Sequence, residues 1–363
     1  MIYLDYQATT PLAPEAFDAM LPWLKDGFAN PHSPHAAGRK ARAAVEVARD
    51  QVAALLPPGG SVSFTSGATE ALNWAIKGTS GAIVTLATEH AAVLDTVEAA
   101  GRAGRPVTVL PVGGDGLVDP EAARAAIGSG TGLVAAMLVN NEIGVIQPIE
   151  ALAALAHDAG GLFLCDAVQG YGRVDIPDCC DLIAVSAHKI HGPKGIGALW
   201  MREGVTLDPL MHGGGQEAAG RSGTLSPALC AGFGAAARVA AGRGAADRAH
   251  VERLFGLAVA RLGAGWVVNG SVDRRYRGNL NLRHEGLDVA RLMSELRDIA
   301  FSAGSACASG SGRSSHVLRA IGLTDLQARS SIRLGFGRDT GEEALMEALD
   351  HIDAAARAQR ISG

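Results

Sequence analysis

Positive charge is not in surplus in this sequence: 32 Lys and Arg stand against 37 Asp and Glu, a formal charge of −5. No electrostatic footprint for DNA or RNA results, so no nucleic-acid partner is expected. Long hydrophobic runs are also missing. No stretch reaches the roughly 18 uncharged apolar residues of a membrane-spanning helix. Met1–Tyr6 lacks the basic start and apolar core of a secretory signal. No membrane partner and a cytoplasmic location are the expectations. Cysteine is sparse as well: five residues, an odd number without paired spacing, do not make a disulfide framework. The adjacent Cys179 and Cys180 lack a metal-ligand spacing, and no metal site is expected.

What is present is a globular composition of 363 residues, 48% hydrophobic and 19% charged, which at ~150 residues per domain reads as roughly two domains. Short apolar runs bounded by turn residues alternate with amphipathic stretches, the pattern of an α/β protein with a mostly parallel sheet. Strands are expected at Val62–Thr65, Ala82–Ala87, Val107–Leu110, Leu133–Val139, Leu162–Cys165, Leu182–Ser186 and Gly197–Met201. Helices are expected at Ala68–Lys77, Ala91–Ala103, Pro120–Ile127 and Pro148–Ala159. An Ala-rich stretch from Ser226 to about Leu262 reads as a long bridging helix with a break near Gly242–Gly244. Beyond it, strands at Trp266–Val268, Arg277–Arg283 and Ser331–Leu334 and helices at Val289–Arg297 and Gly341–Ala356 make a smaller α+β domain.

The chemistry-bearing residues fall at strand ends. Lys189 follows the strand Leu182–Ser186, at the carboxyl edge where open α/β sheets bind ligands. A lysine there can form a Schiff base, although a bare Ser-x-His-Lys by itself fits a solvated surface lysine better. Asp166 ends another apolar strand, where a carboxylate can keep a pyridinium nitrogen protonated and let pyridoxal phosphate act as an electron sink. Ser66-Gly67-Ala68-Thr69 turns a strand into a helix and is either an anion site or an ordinary cap. His90 projects from the same edge, as a stacking and proton-moving group or a structural histidine. Parallel strands would bring Thr69, His90, Asn140, Asp166, Gln169 and Lys189 to one place.

Taken with Leu4-Asp5-Tyr6-x-Ala8-Thr9-Thr10, Ser66-Gly67-Ala68-Thr69-Glu70, Thr88-Glu89-His90, Asn140-Asn141-Glu142-Ile143-Gly144, Asp166-Ala167-x-Gln169, Ser186-x-His188-Lys189 and Arg221-Ser222-Gly223-Thr224, the sequence closely resembles the cysteine desulfurases. These are pyridoxal-phosphate enzymes of aminotransferase class V, and the likeness runs from residue 4 to about residue 346. The resemblance implies the type I fold of pyridoxal-phosphate-dependent transferases. Residues 12–248 would form the large cofactor-binding domain, and 1–11 with 249–363 the small one. Lys189 would hold the cofactor covalently and move the substrate Cα proton. His90 would stack on the ring, Asp166 pair with its nitrogen and Gln169 bond its phenolic oxygen. Ala68, Thr69, Ser186 and His188 would hold the phosphate, joined by Thr224 from the other subunit of a homodimer. Asn140 and Arg333 would take the substrate carboxylate, a task suited to a bidentate guanidinium.

Residues 302–312 hold almost nothing but Ser, Gly and Ala around Cys307, a composition expected to form an exposed, mobile loop. Gly304-Ser305-Ala306-Cys307 resembles the group I enzymes, whose loop cysteine attacks the substrate sulfur. L-cysteine would then yield alanine and a persulfide on Cys307 for an acceptor protein, in iron–sulfur cluster or thio-cofactor assembly. Cys165, Cys179, Cys180 and Cys230 have weaker claims. Val168 and His191 depart from the Thr and Tyr usual in the housekeeping enzymes. A single helix after Asp339–Glu343 implies a shortened tail for scaffold docking. The alternatives are a selenocysteine or cystine lyase or a class V aminotransferase using Lys189 without an obligatory thiol, and a sulfur-carrier protein that has lost catalysis.

Overall fold

The computed structural model describes residues 1–217, 220–304 and 314–361, so Cys307 lies outside the described residues. A seven-stranded sheet forms the centre, in the order Gly60–Thr65, Gly197–Arg202, Leu182–Ser186, Leu162–Asp166, Thr131–Met137, Ala82–Leu86, Val107–Leu110. Gly197–Arg202 runs antiparallel to both its neighbours and the other strand pairs are parallel. Six strands therefore end at one edge.

Side-chain alternation explains why helices cover both faces. Phe163, Cys165, Ile183 and Val185 enter one hydrophobic cluster with the helices Pro14–Lys25, Ala36–Ala53 and Pro227–Leu262, while Leu164, Leu182 and Ala184 enter a second with Ala68–Lys77 and Ala91–Arg102. Every position of Leu182–Ser186 is buried, the continuous apolar run of a strand covered on both sides. The expected helix Ala68–Lys77 matches to the residue, ending before Gly78.

Three features correct the sequence reading. Helices occupy Pro14–Lys25 and Ala36–Ala53, where none was expected. Pro227–Leu262 is one unbroken helix of 36 residues. Gly242 and Gly244 sit in it with open space around them, and the ~1 kcal/mol that each glycine costs is outweighed by packing against neighbouring helices. At Gly234 a Cβ would stand 2.8 Å from the Cα of Ala48, so glycine there is what lets this helix lie close against Ala36–Ala53. The strand expected from Arg277 begins at Asn279.

A four-stranded antiparallel sheet, Ser302–Ala303, Ser331–Gly335, Asn279–Arg283 and Val267–Val268, forms the C-terminal layer. The chain start belongs with this part: Ile2–Tyr3 pairs parallel with Ile299–Ala300, and Asp5 bridges to Gly335. Among the described residues, no helix is long and apolar enough to cross a membrane.

Candidate active site

The carboxyl edge of the large sheet opens into a cavity of about 640 Å³, with the N-terminal segment Gln7–Thr9 and Arg333 closing it from the other side. Lys189, on the short turn after Leu182–Ser186, reaches in. Its Nζ donates to the carbonyls of Gln7 at 2.5 Å and Ala8 at 2.8 Å. Burial first, then the nearby Arg173 and Arg333, lower its pKa to about 8, against Asp5 and Asp166, which raise it. A buried amine lowered this far is a nucleophile near neutral pH.

Asp166 and His90 flank it on the cavity wall. The Asp166 Oδ1 accepts from the Val168 amide at 3.0 Å. Burial raises the Asp166 pKa, opposed by that amide and by His90 and Lys189. His90 caps the helix Ala91–Arg102, its Nδ1 accepting from the Ala92 amide at 3.0 Å. The neutral ring must then carry its proton on Nε2. Burial is also the main cause that lowers the His90 pKa, which favours the neutral form of the ring.

The strand Gly60–Thr65 hands over to the helix Ala68–Lys77 through Ser66 and Gly67. Gly197 makes this crossing possible, since a Cβ there would lie 2.8 Å from the Gly67 Cα. Ser66, Gly67, Ala68, Thr69, Ser186 and His188 all line the cavity, and a helix N-terminus favours an anion. Glu70, in the same first turn, is turned away: it accepts from Ser66 N at 2.7 Å and pairs with Arg221 at 2.8 Å. Burial pushes the Glu70 pKa up, but the bonds from Arg221 and Ser66 win and hold it low. His188, on whose ring Nδ1 meets Thr9 Oγ1 at 3.1 Å, is lowered to about 4 by burial and neighbouring cations.

Arg333 is almost fully buried and donates to Asp5 at 2.7 Å, Ser302 at 3.2 Å and the Asn141 carbonyl at 3.0 Å. Its buried Nε has no partner among the described residues.

Asn140 does not line the cavity as expected. Its carboxamide is consumed internally, Nδ2 donating to Thr88 O and Oδ1 accepting from the Glu142 and Ile143 amides. Its neighbour Asn141 lines the cavity instead. Thr224 is exposed and is not part of its own chain's cavity wall. His191, the departure noted in sequence, is buried with φ 67 and its Nδ1 faces the Pro11 carbonyl at 2.9 Å, so it serves the backbone behind Lys189. The Gln7 and Ala8 carbonyls were missed because they are backbone groups, and the Glu70–Arg221 pair because it joins distant segments.

The donor set suits a flat anionic carbonyl compound with a basic ring nitrogen. The helix N-terminus with Thr69, Ser186 and His188 could take its phosphate, Asp166 its nitrogen, His90 its face and Lys189 its carbonyl carbon. A Cβ at Gly67 would meet no atom within 4 Å, so room for an anion exists beside that turn.

A sheet edge that brings an amine, a carboxylate and a helix N-terminus to one cavity is an arrangement suited to group transfer built around one lysine. The family profile described as aminotransferase class-V matches residues 2–347, and the chain belongs to that family. The cysteine desulfurase IscS of Rickettsia bellii (strain OSU 85-389) is 43% identical over 361 residues, which cover 95% of this chain and 88% of that protein. IscS of Rickettsia rickettsii (strain Iowa) is 41% identical over 368 residues, covering 97% and 90%. Among solved structures, a NifS-like protein superimposes with a TM-score of 0.91 at 30% identity, covering 98% of this chain and 99% of that one. SspA in complex with cysteine gives 0.83 at 34% identity, covering 93% and 99%.

Proposed function

We propose that the chain is a cysteine desulfurase that takes sulfur from L-cysteine, leaves alanine and passes the sulfur on as a persulfide. The observation that carries this reading is the convergence of Lys189, Asp166, His90, Gln169 and Arg333 on one cavity. Pyridoxal phosphate, when bound, would supply the electron sink that makes the substrate Cα proton acidic and the Cβ–S bond labile. Residues 12–248 are proposed to hold it, with residues 1–11 and 249–363 forming the smaller domain.

The chain's own residues divide the work. Arg333 receives the substrate carboxylate, with Asn141 beside it. Lys189 Nζ, buried and lowered to about 8, takes the Cα proton and returns it. His90 offers a flat face and an Nε2–H donor. Asp166, whose pKa burial raises against the Val168 amide, His90 and Lys189, is placed to hold a cationic ring nitrogen. Cys307 supplies the thiolate that attacks the sulfur, and the persulfide stays on it until an acceptor protein arrives. The four described cysteines are free thiols, and a reducing compartment such as the cytoplasm suits this chemistry.

Incubation with L-cysteine and pyridoxal phosphate should yield alanine and protein-bound sulfane sulfur in equal amounts on the first turnover. Alanine without bound sulfur would point to a lyase instead. Covalent capture of pyridoxal phosphate by apo-protein should accelerate with rising pH through a midpoint near 8, because only the unprotonated Lys189 amine attacks. A flat profile through that midpoint would contradict the assignment.

Assembly offers a further check. Thr224 follows Arg221, which is tied to Glu70 in the first turn of the anion-binding helix, and we propose that it completes the phosphate site of a second copy. Thr224→Ala should weaken pyridoxal-phosphate retention about tenfold, and dilution to monomers should do the same. A fully active monomer by light scattering would force Thr224 into a local role.

A further inference from the structure

We propose that Arg173 is a positioning residue of this reaction, its guanidinium fork fixing the direction of the Gln169 carboxamide and the backbone of Lys189. The inference rests on the functional reading above and extends it to a residue that does not line the main cavity. Arg173 stands behind the site: Nη1 donates to Gln169 Oε1 at 2.7 Å, and Nη2 donates to the Lys189 carbonyl at 2.6 Å. The Tyr276 ring lies 5.5 Å from its guanidinium carbon.

A guanidinium has only donors, so it can donate only to the oxygen end of the carboxamide. The Gln169 Nε2 must then face the other way, and it donates to the Gln7 carbonyl at 2.9 Å. That carbonyl is the same one that receives Lys189 Nζ. One arginine thus sets a donor of Gln169 beside the reactive amine, where an oxygen next to the carbonyl of the bound group would meet it. A flipped carboxamide would present an acceptor there and repel an anionic oxygen.

The charge of Arg173 acts on the same lysine. It is the foremost of the charged neighbours that lower the Lys189 pKa, after burial. The groups facing Lys189 are Arg173 and Arg333, which favour the neutral amine, Asp5 and Asp166, which oppose them, and the imidazoles of His90 and His188. Removing Arg173 therefore raises the Lys189 pKa, and water entering the space it leaves acts in the same direction.

The test uses the full-length chain. Competitive amine labelling of apo-protein across pH, read on the Lys189 peptide by mass spectrometry, should give a midpoint near 8 in the wild type. Arg173→Met should raise it by about one pH unit and weaken pyridoxal-phosphate retention about tenfold. In a Gln169→Leu background the same substitution should add little further loss of retention, because the two residues act as a unit. An unchanged midpoint in Arg173→Met, or fully additive losses, would overturn the proposal. If Arg173→Met does not fold, Arg173→Lys decides: it keeps the charge without the fork, so the midpoint should hold while retention falls. Retention equal to the wild type in Arg173→Lys would also overturn it. A wild-type protein that binds no pyridoxal phosphate would overturn the functional reading instead, while the Lys189 titration would still judge the charge effect of Arg173.

Discussion

Lys189→Ala should abolish covalent retention of pyridoxal phosphate and lower alanine production at least about a hundredfold, the scale of a lost nucleophile and proton carrier. Borohydride reduction followed by peptide mapping reads the first effect directly. The expectation follows from enclosure: Lys189 Nζ sits between the Gln7 and Ala8 carbonyls, and burial lowers it to about 8. Lys194 also lines the cavity, but it is exposed and lacks that enclosure. Turnover above about a tenth of wild type with the cofactor in excess would contradict the role, since it exceeds what a misplaced amine can supply.

Cys307→Ala should leave cofactor binding intact and remove persulfide formation from L-cysteine, a loss of at least about a hundredfold in sulfur transferred. The tasks are separable because the residues that would hold the cofactor, Thr69, Asp166, Ser186 and Lys189, lie on the large sheet's edge. Residues 302–312, Ser, Gly and Ala in the main, contain no large apolar side chain whose packing Cys307 would support. From that composition, stability is expected to change by less than about 0.5 kcal/mol. Wild-type release of alanine with protein-bound sulfur from this variant would remove the thiol from the mechanism.

Much of this arrangement was legible beforehand for a physical reason. Strands such as Leu162–Asp166 and Leu182–Ser186 are buried on both faces, so their apolar runs stand out between turn residues. Once they are parallel, their following residues must share an edge, and Lys189, Asp166 and His90 were placed by that geometry alone. The helix Ala36–Ala53 was not legible because its buried stripe is Gly38, Ala41, Val45, Ala48 and Val52, small residues with little hydrophobic contrast. The sequence reading took Asn140 for the substrate carboxylate, whereas Asn141 is the one that lines the cavity. They share a strand end, and the choice is made by a turn in which Asn140 Oδ1 takes the Glu142 and Ile143 amides. Arg173 carries no signal at all, since an arginine in a loop reads as solvated until its partners Gln169 and Lys189 are brought to it.

The most direct test of the central claim follows the sulfur atom. Wild-type protein loaded with pyridoxal phosphate is given L-cysteine labelled with radioactive sulfur, without reductant, and its peptides are mapped under conditions that preserve persulfides. The label should reside on the peptide carrying Cys307 and leave on addition of a thiol. Label appearing only as free sulfide, or on Cys165, Cys179, Cys180 or Cys230 with Cys307 unlabelled, would contradict desulfuration through this residue.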